Sequence, residues 1–147
     1  NGFQILCEAG LLPGALLRNT SQKFTCDNVY LTPANTQLPI TNAIQEGAVL
    51  KIPIAHGEGR YYADDATMET LVANKQVLFY YCDANGNQTP ESNPNGSLLN
   101  IAGVCNSGKN VFGMMPHPER CADASLFNTD GRKIFDSIMA MAAMQSA

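Results

Sequence analysis

Two hydrophobic patterns succeed one another along the chain, and they predict five strands and three helices. Apolar runs rich in Val, Ile, Tyr, Phe and Thr are typical of strands, and they occupy residues 23–32, 49–55, 76–82, 99–105 and 110–115. Apolar residues at helical spacing predict helices over residues 3–9, from 64 or 65 to about 73, and over 131–144. The last helix has an apolar stripe of Ile134, Ile138 and Met141.

Proline, glycine and asparagine mark the connections between these elements. Residues 35–46 and 83–96 are polar and contain prolines, so we predict loops there. Pro53 lies inside a predicted strand, which favours an edge position or a bulge. Residues 106–108 join the last two strands as a hairpin. A strand-then-helix order occurs only at the two ends of the chain, so we predict an α/β fold with a mixed central sheet flanked by helices.

Composition and charge narrow the classes of function. A chain of 147 residues with 45% hydrophobic and 15% charged residues suits one globular domain rather than a disordered segment. The net charge is −4 and the chain has no basic stripe, so we expect no nucleic-acid binding. An apolar run of about 18 residues would be needed to span a membrane, and none occurs. The chain shows no signal-peptide pattern, so we expect no signal peptide.

The cysteines indicate a reducing compartment and supply no obvious nucleophile. Their number is odd and no pair has CxxC spacing, so neither a disulfide framework nor a zinc site is predicted. We expect reduced thiols in a cytoplasmic protein and no bound metal. None of the five stands at a helix start that would activate it: Cys7, Cys26, Cys82, Cys105 and Cys121.

The strongest local signal for chemistry is the sequence MMPHPER, residues 114–120. Prolines on both sides of His117 stiffen the backbone. In extended chain, residues i and i+2 point to the same side, so His117 and Glu119 project together. A carboxylate beside an imidazole is the base-and-orienter part of a nucleophilic triad. The alternative from spacing alone is a surface loop with an ordinary ion pair.

Three further segments each allow two interpretations. Residues 1–4 lead directly into a helix, whose N–H groups can stabilise an oxyanion, or they are an ordinary helix cap. Residues 93–97 offer amides and a glycine for a small polar ligand, or they form a plain turn. Residues 56–60 combine His, Glu and Arg with two glycines, which suits either a partner contact or a solvated loop.

Taken together, four segments resemble the class I (triad) glutamine amidotransferases. The segments are NGFQILCEAGLLPGALLRN, IPIAHGEGRYYA, NPNGSLLNIAGVCN and GMMPHPER, in that order from residue 1 to about 135. HGEGR and NPNGS resemble one branch of that class, the glutaminase subunits of phosphoribosylformylglycinamidine synthase, which serve purine synthesis. The resemblance implies a class I amidotransferase-like fold and hydrolysis of L-glutamine to glutamate and ammonia.

The resemblance also implies roles for individual residues. His117 matches the general base, Glu119 the carboxylate that orients it, and Asn1 the residue whose N–H helps to form the oxyanion hole. In the family a nucleophilic cysteine precedes the matched Asn. Gln4 lies one helical turn after the position of that cysteine and is expected beside the substrate.

Two further groups of residues are assigned through the same resemblance. The loop expected to hold the α-amino and α-carboxyl groups of glutamine, largely through its backbone, comprises Asn95, Gly96 and Ser97. The segment expected at the rim of the site or at the synthetase contact comprises His56, Glu58 and Arg60.

One part of the motif is not in this chain. In the family, the residue before the matched Asn is the nucleophilic cysteine, so we expect that cysteine immediately before Asn1. The preceding strands and the Gly-rich half of the oxyanion hole would lie upstream, on roughly 80–90 residues. Residues 1–147 are then the C-terminal part of a single amidotransferase domain. A modified cysteine, such as a glutamyl thioester, is the alternative explanation for the missing residue.

The resemblance implies partners rather than a cofactor in this subunit. Ammonia passes to a synthetase subunit, which uses ATP and magnesium to convert formylglycinamide ribonucleotide to formylglycinamidine ribonucleotide, and a small adaptor subunit completes the assembly. The alternatives are a non-catalytic or degenerate module that only docks a synthetase, another class I amidotransferase, or a related cysteine hydrolase.

Overall fold

The computed structural model describes residues 1–145 and contains three α-helices and seven strands. The helices are α1 (Gly2–Glu8), α2 (Asp65–Ala73) and α3 (Arg132–Gln145). The strands are β1 (Ala15–Leu17), β2 (Thr25–Pro33), β3 (Leu50–His56), β4 (Arg60–Tyr62), β5 (Val77–Cys82), β6 (Ile101–Cys105) and β7 (Phe112–Met114). Four short 3₁₀ helices cover Pro90–Ser92, Leu98–Asn100, Pro118–Cys121 and Ala124–Leu126.

The strands form a five-stranded sheet in the order β3-β2-β5-β6-β7 and a separate pair, β1-β4. β3 is an edge strand, as Pro53 predicts, and β6 and β7 form the predicted antiparallel hairpin. Every strand pair within residues 1–145 is antiparallel. A mixed sheet also contains parallel pairs, and none occurs within residues 1–145.

Two hydrophobic clusters pack against the large sheet. One contains Leu31, Ile52, Phe79 and Ile134 together with apolar residues of the 35–46 loop. The other contains residues of α1, β1, β4 and α2: Phe3, Leu16, Tyr61 and Leu71. Neighbouring residues of β5 and of β6 contribute to different clusters, so the sheet lies between the two cores.

The predicted stripe of α3 is only partly correct. Ile134 is buried, but Ile138 is exposed and the buried residue on the next turn is Ser137. The Ser137 hydroxyl donates to the carbonyl of Lys133 and accepts the N–H of Ala43 (2.8 and 3.0 Å). A buried hydroxyl with both a donor and an acceptor partner is stable in a core, and residue type alone does not reveal this.

No helix within residues 1–145 is long and apolar enough to cross a membrane.

Three contacts position β7 and the segment that follows it: with α1, with β3 and with the turn before α3. Gly113 of β7 lies where any side chain would overlap Phe3 of α1 and Leu12. The N–H of His117 donates to the carbonyl of Pro53 in β3 (2.8 Å). Gly131, just before α3, packs against the carbonyl of Pro118 and donates its N–H to Cys121 O (2.9 Å).

We expect Gly131→Ala to destabilise the protein, because its methyl group would overlap the backbone carbonyl of Pro118. Overpacking that requires a backbone shift costs about 1–3 kcal/mol. The matched control is Gly57→Ala, whose added methyl group would lie 3.8 Å from its nearest neighbour, Phe24. Urea unfolding of the complete protein measures both changes. Equal free energies of unfolding for the two variants would contradict this packing.

Candidate active site

A cavity of about 560 Å³ lies where the start of α1, the end of β3 and the segment after β7 meet. Six of the ten site residues predicted from the sequence line it: Asn1, Gln4, His56, Glu58, His117 and Glu119. The other four, Arg60, Asn95, Gly96 and Ser97, lie outside it. A second cavity, of about 670 Å³, is lined by Thr20, Gly96 and Asn100 among others, and no imidazole or carboxylate is among its described lining residues. The first cavity is therefore the candidate active site.

His117 and Glu119 form the contact that their spacing predicts. Nδ1 of His117 lies 2.9 Å from Oε1 of Glu119, and the two side chains are 29% and 57% exposed. A carboxylate only accepts hydrogen bonds, so Nδ1 carries the proton and Nε2 is left for other chemistry. The backbone is not extended throughout, because Pro118 begins a 3₁₀ helix with His117 as its N-cap. Proline is favoured at the first helical position, since it has no N–H that needs a partner there.

The start of α1 forms the facing part of the cavity. Asn1 is the N-cap residue, and its carbonyl accepts the N–H of Ile5 (3.0 Å). The first N–H groups of a helix have no partner within the helix, so those of Gly2, Phe3 and Gln4 can meet a ligand. The Gln4 side chain donates to Glu8 one turn further on (2.9 Å) while still lining the cavity.

His56 lies on the cavity wall but is not the exposed rim residue that the loop interpretation predicts. The residue is only 6% exposed, and its ring contacts the side-chain amides of Asn19 and Asn95. Burial is the main cause that lowers its pKa below the ordinary value, and a positive charge on His117 lowers it further. His56 is therefore neutral under conditions in which an exposed histidine would be partly charged.

Residues 56–60 were predicted to form either a partner contact or a solvated loop, and of their three ionisable side chains only Glu58 is exposed. Glu58 is exposed and lines the cavity. Arg60 belongs to β4, where it pairs with Leu17, and it is only partly exposed. Its Nε is buried and, among the described residues, makes no hydrogen bond. Arg60 is less exposed than a loop residue would be because it lies in a strand.

The Asn95–Ser97 loop does not line the cavity, because its polar groups bond to each other and to the core. Asn95 and Ser97 are only 1% and 3% exposed. Oδ1 of Asn93 accepts the N–H groups of residues 95, 96 and 97 (3.3, 2.8 and 3.2 Å). The backbone donors expected to bind substrate are thus already used inside the loop.

The thiols of the chain do not supply an activated nucleophile to this cavity. Burial raises the pKa of Cys7 and of Cys82 to about 11, and it also raises the pKa of Cys105 and of Cys121. A thiol with a raised pKa forms little thiolate near neutral pH. Cys26 lies on β2 and is not among the residues that line the cavity.

Sequence reasoning missed two residues that support the site, Asn19 and Tyr81. Asn19 is fully buried and bridges the end of β3 to residues 23 and 59. The hydroxyl of Tyr81 lies 3.3 Å from the amide nitrogen of Asn95. Asn19 stands in the first of the four motif segments, which is the only signal that marks it. Tyr81 lies in an apolar strand run, where no local pattern separates it from a core tyrosine.

Comparison with known families identifies the family and the fold of this chain. The model for the CobB/CobQ-like glutamine amidotransferase domain matches residues 1–141, so the chain belongs to that family. A solved structure shares the fold: a chain in the structure of PurLQS from Thermotoga maritima has a TM-score of 0.80 and 44% identity over 95% of this chain and 58% of that chain. The predicted α/β amidotransferase fold is therefore confirmed.

Curated relatives are more similar still. The phosphoribosylformylglycinamidine synthase subunit PurQ of Acaryochloris marina is 57% identical over 139 residues, which are 95% of this chain and 59% of the relative. The subunit of the same name from Moorella thermoacetica is 56% identical over 139 residues, again 95% of this chain and 59% of the relative. The chain thus spans about three fifths of the length of these relatives.

Gly96→Ala should destabilise the protein through strain and overlap. Gly96 has a φ of +82°, and a methyl group there would overlap the side-chain methyl of Thr20. Left-handed backbone costs a non-glycine residue about 1–2 kcal/mol, and the overlap adds to this. Thr20→Ser removes the overlapping methyl group.

A double-mutant cycle of Gly96→Ala and Thr20→Ser separates the two causes. We expect Thr20→Ser to recover part of the lost stability only in the Gly96→Ala background, with a coupling of at least about 0.5 kcal/mol. Strictly additive free energies of unfolding would mean that residue 96 does not pack on Thr20.

Proposed function

We propose that the complete protein carrying this chain is the glutaminase subunit of phosphoribosylformylglycinamidine synthase. It hydrolyses L-glutamine to glutamate and ammonia, and the ammonia aminates formylglycinamide ribonucleotide on a synthetase subunit. One observation carries the proposal: the helix start at Asn1 and the His117–Glu119 pair line a single cavity. The similarity to the curated synthase subunits supports this choice of reaction among amidotransferases.

His117 acts as acid and then as base. Glu119 holds the Nδ1–H of the ring, so Nε2 exchanges protons in the cavity. A thiolate attacks the side-chain carboxamide carbon of glutamine, and His117 donates a proton to the departing ammonia. The resulting glutamyl thioester is attacked by water, whose proton passes to His117. Loss of the thiolate then releases glutamate.

The nucleophile in this proposal is the cysteine expected immediately before Asn1. The N-terminal end of a helix favours a thiolate through its dipole, and the imidazolium of His117 favours it as well. The N–H of Asn1 stabilises the oxyanion, and one such donor contributes about 3–4 kcal/mol to catalysis. In this assignment residues 1–147 are the C-terminal part of one amidotransferase domain.

Glutamine is held beside Gln4, which lines the cavity one helical turn after the nucleophile. We assign the Asn95–Ser97 loop an indirect role in substrate binding, because its N–H groups bond to Asn93 and its side chains are buried. Glu58 is our choice for the contact with the synthetase, since it is exposed at the cavity.

The remaining assignments concern the assembly. We propose a synthetase subunit and a small adaptor subunit as partners, with ATP and magnesium bound by the synthetase and no cofactor in this subunit. The match to a chain of PurLQS supports the synthetase as partner. The five free thiols suit a cytoplasmic enzyme.

His117→Ala in the complete enzyme tests the proposal. We expect glutamine-dependent synthesis to fall at least about 10²-fold, because the proton carrier for both half-reactions is lost. Synthesis supported by added ammonia should persist, since ammonia bypasses this site. Both rates are measured on the assembled enzyme.

The matched control is Arg120→Ala, which removes an exposed charge from the same short helix. An exposed ion pair is worth no more than about 1 kcal/mol, so we expect less than about a fivefold change. Glutamine hydrolysis near the wild-type rate in the His117→Ala enzyme would refute the assignment.

A further inference from the structure

The imidazole of His56 lies between two amides, and the orientation of the first is set by backbone groups. Asn19 donates through Nδ2 to the carbonyls of Lys23 and His56, both at 2.9 Å. Its Oδ1 accepts the N–H of Gly59 at 3.0 Å. The atom that faces Nδ1 of His56, at 3.2 Å, is therefore an oxygen. A carbonyl oxygen can only accept, so Nδ1 carries a proton.

The second amide has the opposite polarity. Asn95 accepts the N–H of Ser97 at its Oδ1 (3.0 Å) and donates through Nδ2 to the carbonyl of Gly59 (2.8 Å). Its second Nδ2 hydrogen is shared between Nε2 of His56 at 3.4 Å and the hydroxyl oxygen of Tyr81 at 3.3 Å. The amide group that faces Nε2 offers only hydrogens, so this ring nitrogen carries no proton and acts as an acceptor. Together the two amides accommodate only the neutral Nδ1–H tautomer.

The backbone at Gly59 lies directly against the ring of His56. A side chain at this position would overlap the ring, so a glycine is needed for the close approach. The titratable groups around His56 are Glu58 in the next turn and His117 and Glu119 on the same cavity, with Tyr81 behind Asn95. Burial and the charge of His117 both lower the pKa of His56.

We propose that Asn19 and Asn95 are positioning residues that keep His56 neutral on the cavity wall, so that no second positive charge opposes the imidazolium of His117. Charge repulsion between two imidazolium groups would disfavour protonation of His117. The role in catalysis rests on the function proposed above, whereas the tautomer of His56 does not. The NPNGS motif then influences the site through His56 rather than by contact with substrate.

Long-range ¹H–¹⁵N spectra of the complete protein test the tautomer directly. In the wild type, His56 should be neutral with its proton on Nδ1, and its signals are identified by their loss in His56→Asn. A wild-type ring with its proton on Nε2 would overturn the proposal, whether or not any variant folds.

Asn95→Asp replaces the donor that faces Nε2 with an acceptor. The carboxylate should favour the charged ring, so we expect the pKa of His56 to rise by about 1 unit or more in this variant. The matched control is Asn93→Asp, an equal change in the same loop. It keeps the Oδ1 acceptor for the three N–H groups and makes no hydrogen bond to His56, but it loses the two bonds that Nδ2 donates to Ser97 O and Asn100 Oδ1, so its stability is checked by urea unfolding. An unchanged pKa of His56 in Asn95→Asp, or an equal rise in both variants, would overturn the proposal.

The pH dependence of kcat for glutamine tests the consequence for catalysis. Asn95 is buried behind His56, so the new imidazolium lies nearer to the cavity than the new carboxylate. A charged His56 disfavours the imidazolium of His117, so kcat of Asn95→Asp should fall as the pH drops through the pKa of His56 measured in that variant, which places its acid limb higher than that of the wild type. The acid limb of Asn93→Asp should stay in place. An unmoved acid limb in Asn95→Asp, with His56 shown to be charged, would overturn the catalytic part. A wild type without glutaminase activity would instead refute the proposed function and leave the tautomer result intact.

Discussion

The N–H of His117 donates a hydrogen bond to the carbonyl of Pro53, and the geometry of the site depends on this contact. β3 is an edge strand, so some of its carbonyls face away from β2 and are available to another segment. Proline at this edge costs the sheet no hydrogen bond, because it has no N–H to leave unpaired. The bond ties the segment after β7 to the strand that ends at His56. Both histidines of the chain thereby reach one cavity.

A second set of hydrogen bonds holds His56 in place on the wall of this cavity. Asn19, His56 and Asn95 are all buried, and each has hydrogen-bond partners with fixed backbone positions. A buried polar network is stable only when its members are satisfied, and such a network then permits a single arrangement. The cavity therefore combines an accessible histidine that can exchange protons with a buried one that is held in one state.

The sequence predicted those parts of the fold that local pattern determines. Pro53 indicated an edge strand, residues 106–108 indicated the hairpin, and the spacing of His117 and Glu119 indicated their contact. The three-residue strands β1 and β4 carry too few residues for a pattern. Likewise, Asn95 has the local character of a turn residue. Its burial depends on His56 and Gly59, which lie 39 and 36 positions away, and no local window includes them.

We propose that glutamine is cleaved in the cavity between the start of α1 and His117. Mass spectrometry of the complete enzyme, labelled with an electrophilic analogue of glutamine, tests it most directly. We expect one adduct, on the cysteine immediately before Asn1, and protection of that residue by glutamine. An adduct on Cys7, Cys26 or another cysteine of this chain, formed with loss of glutaminase activity, would contradict it.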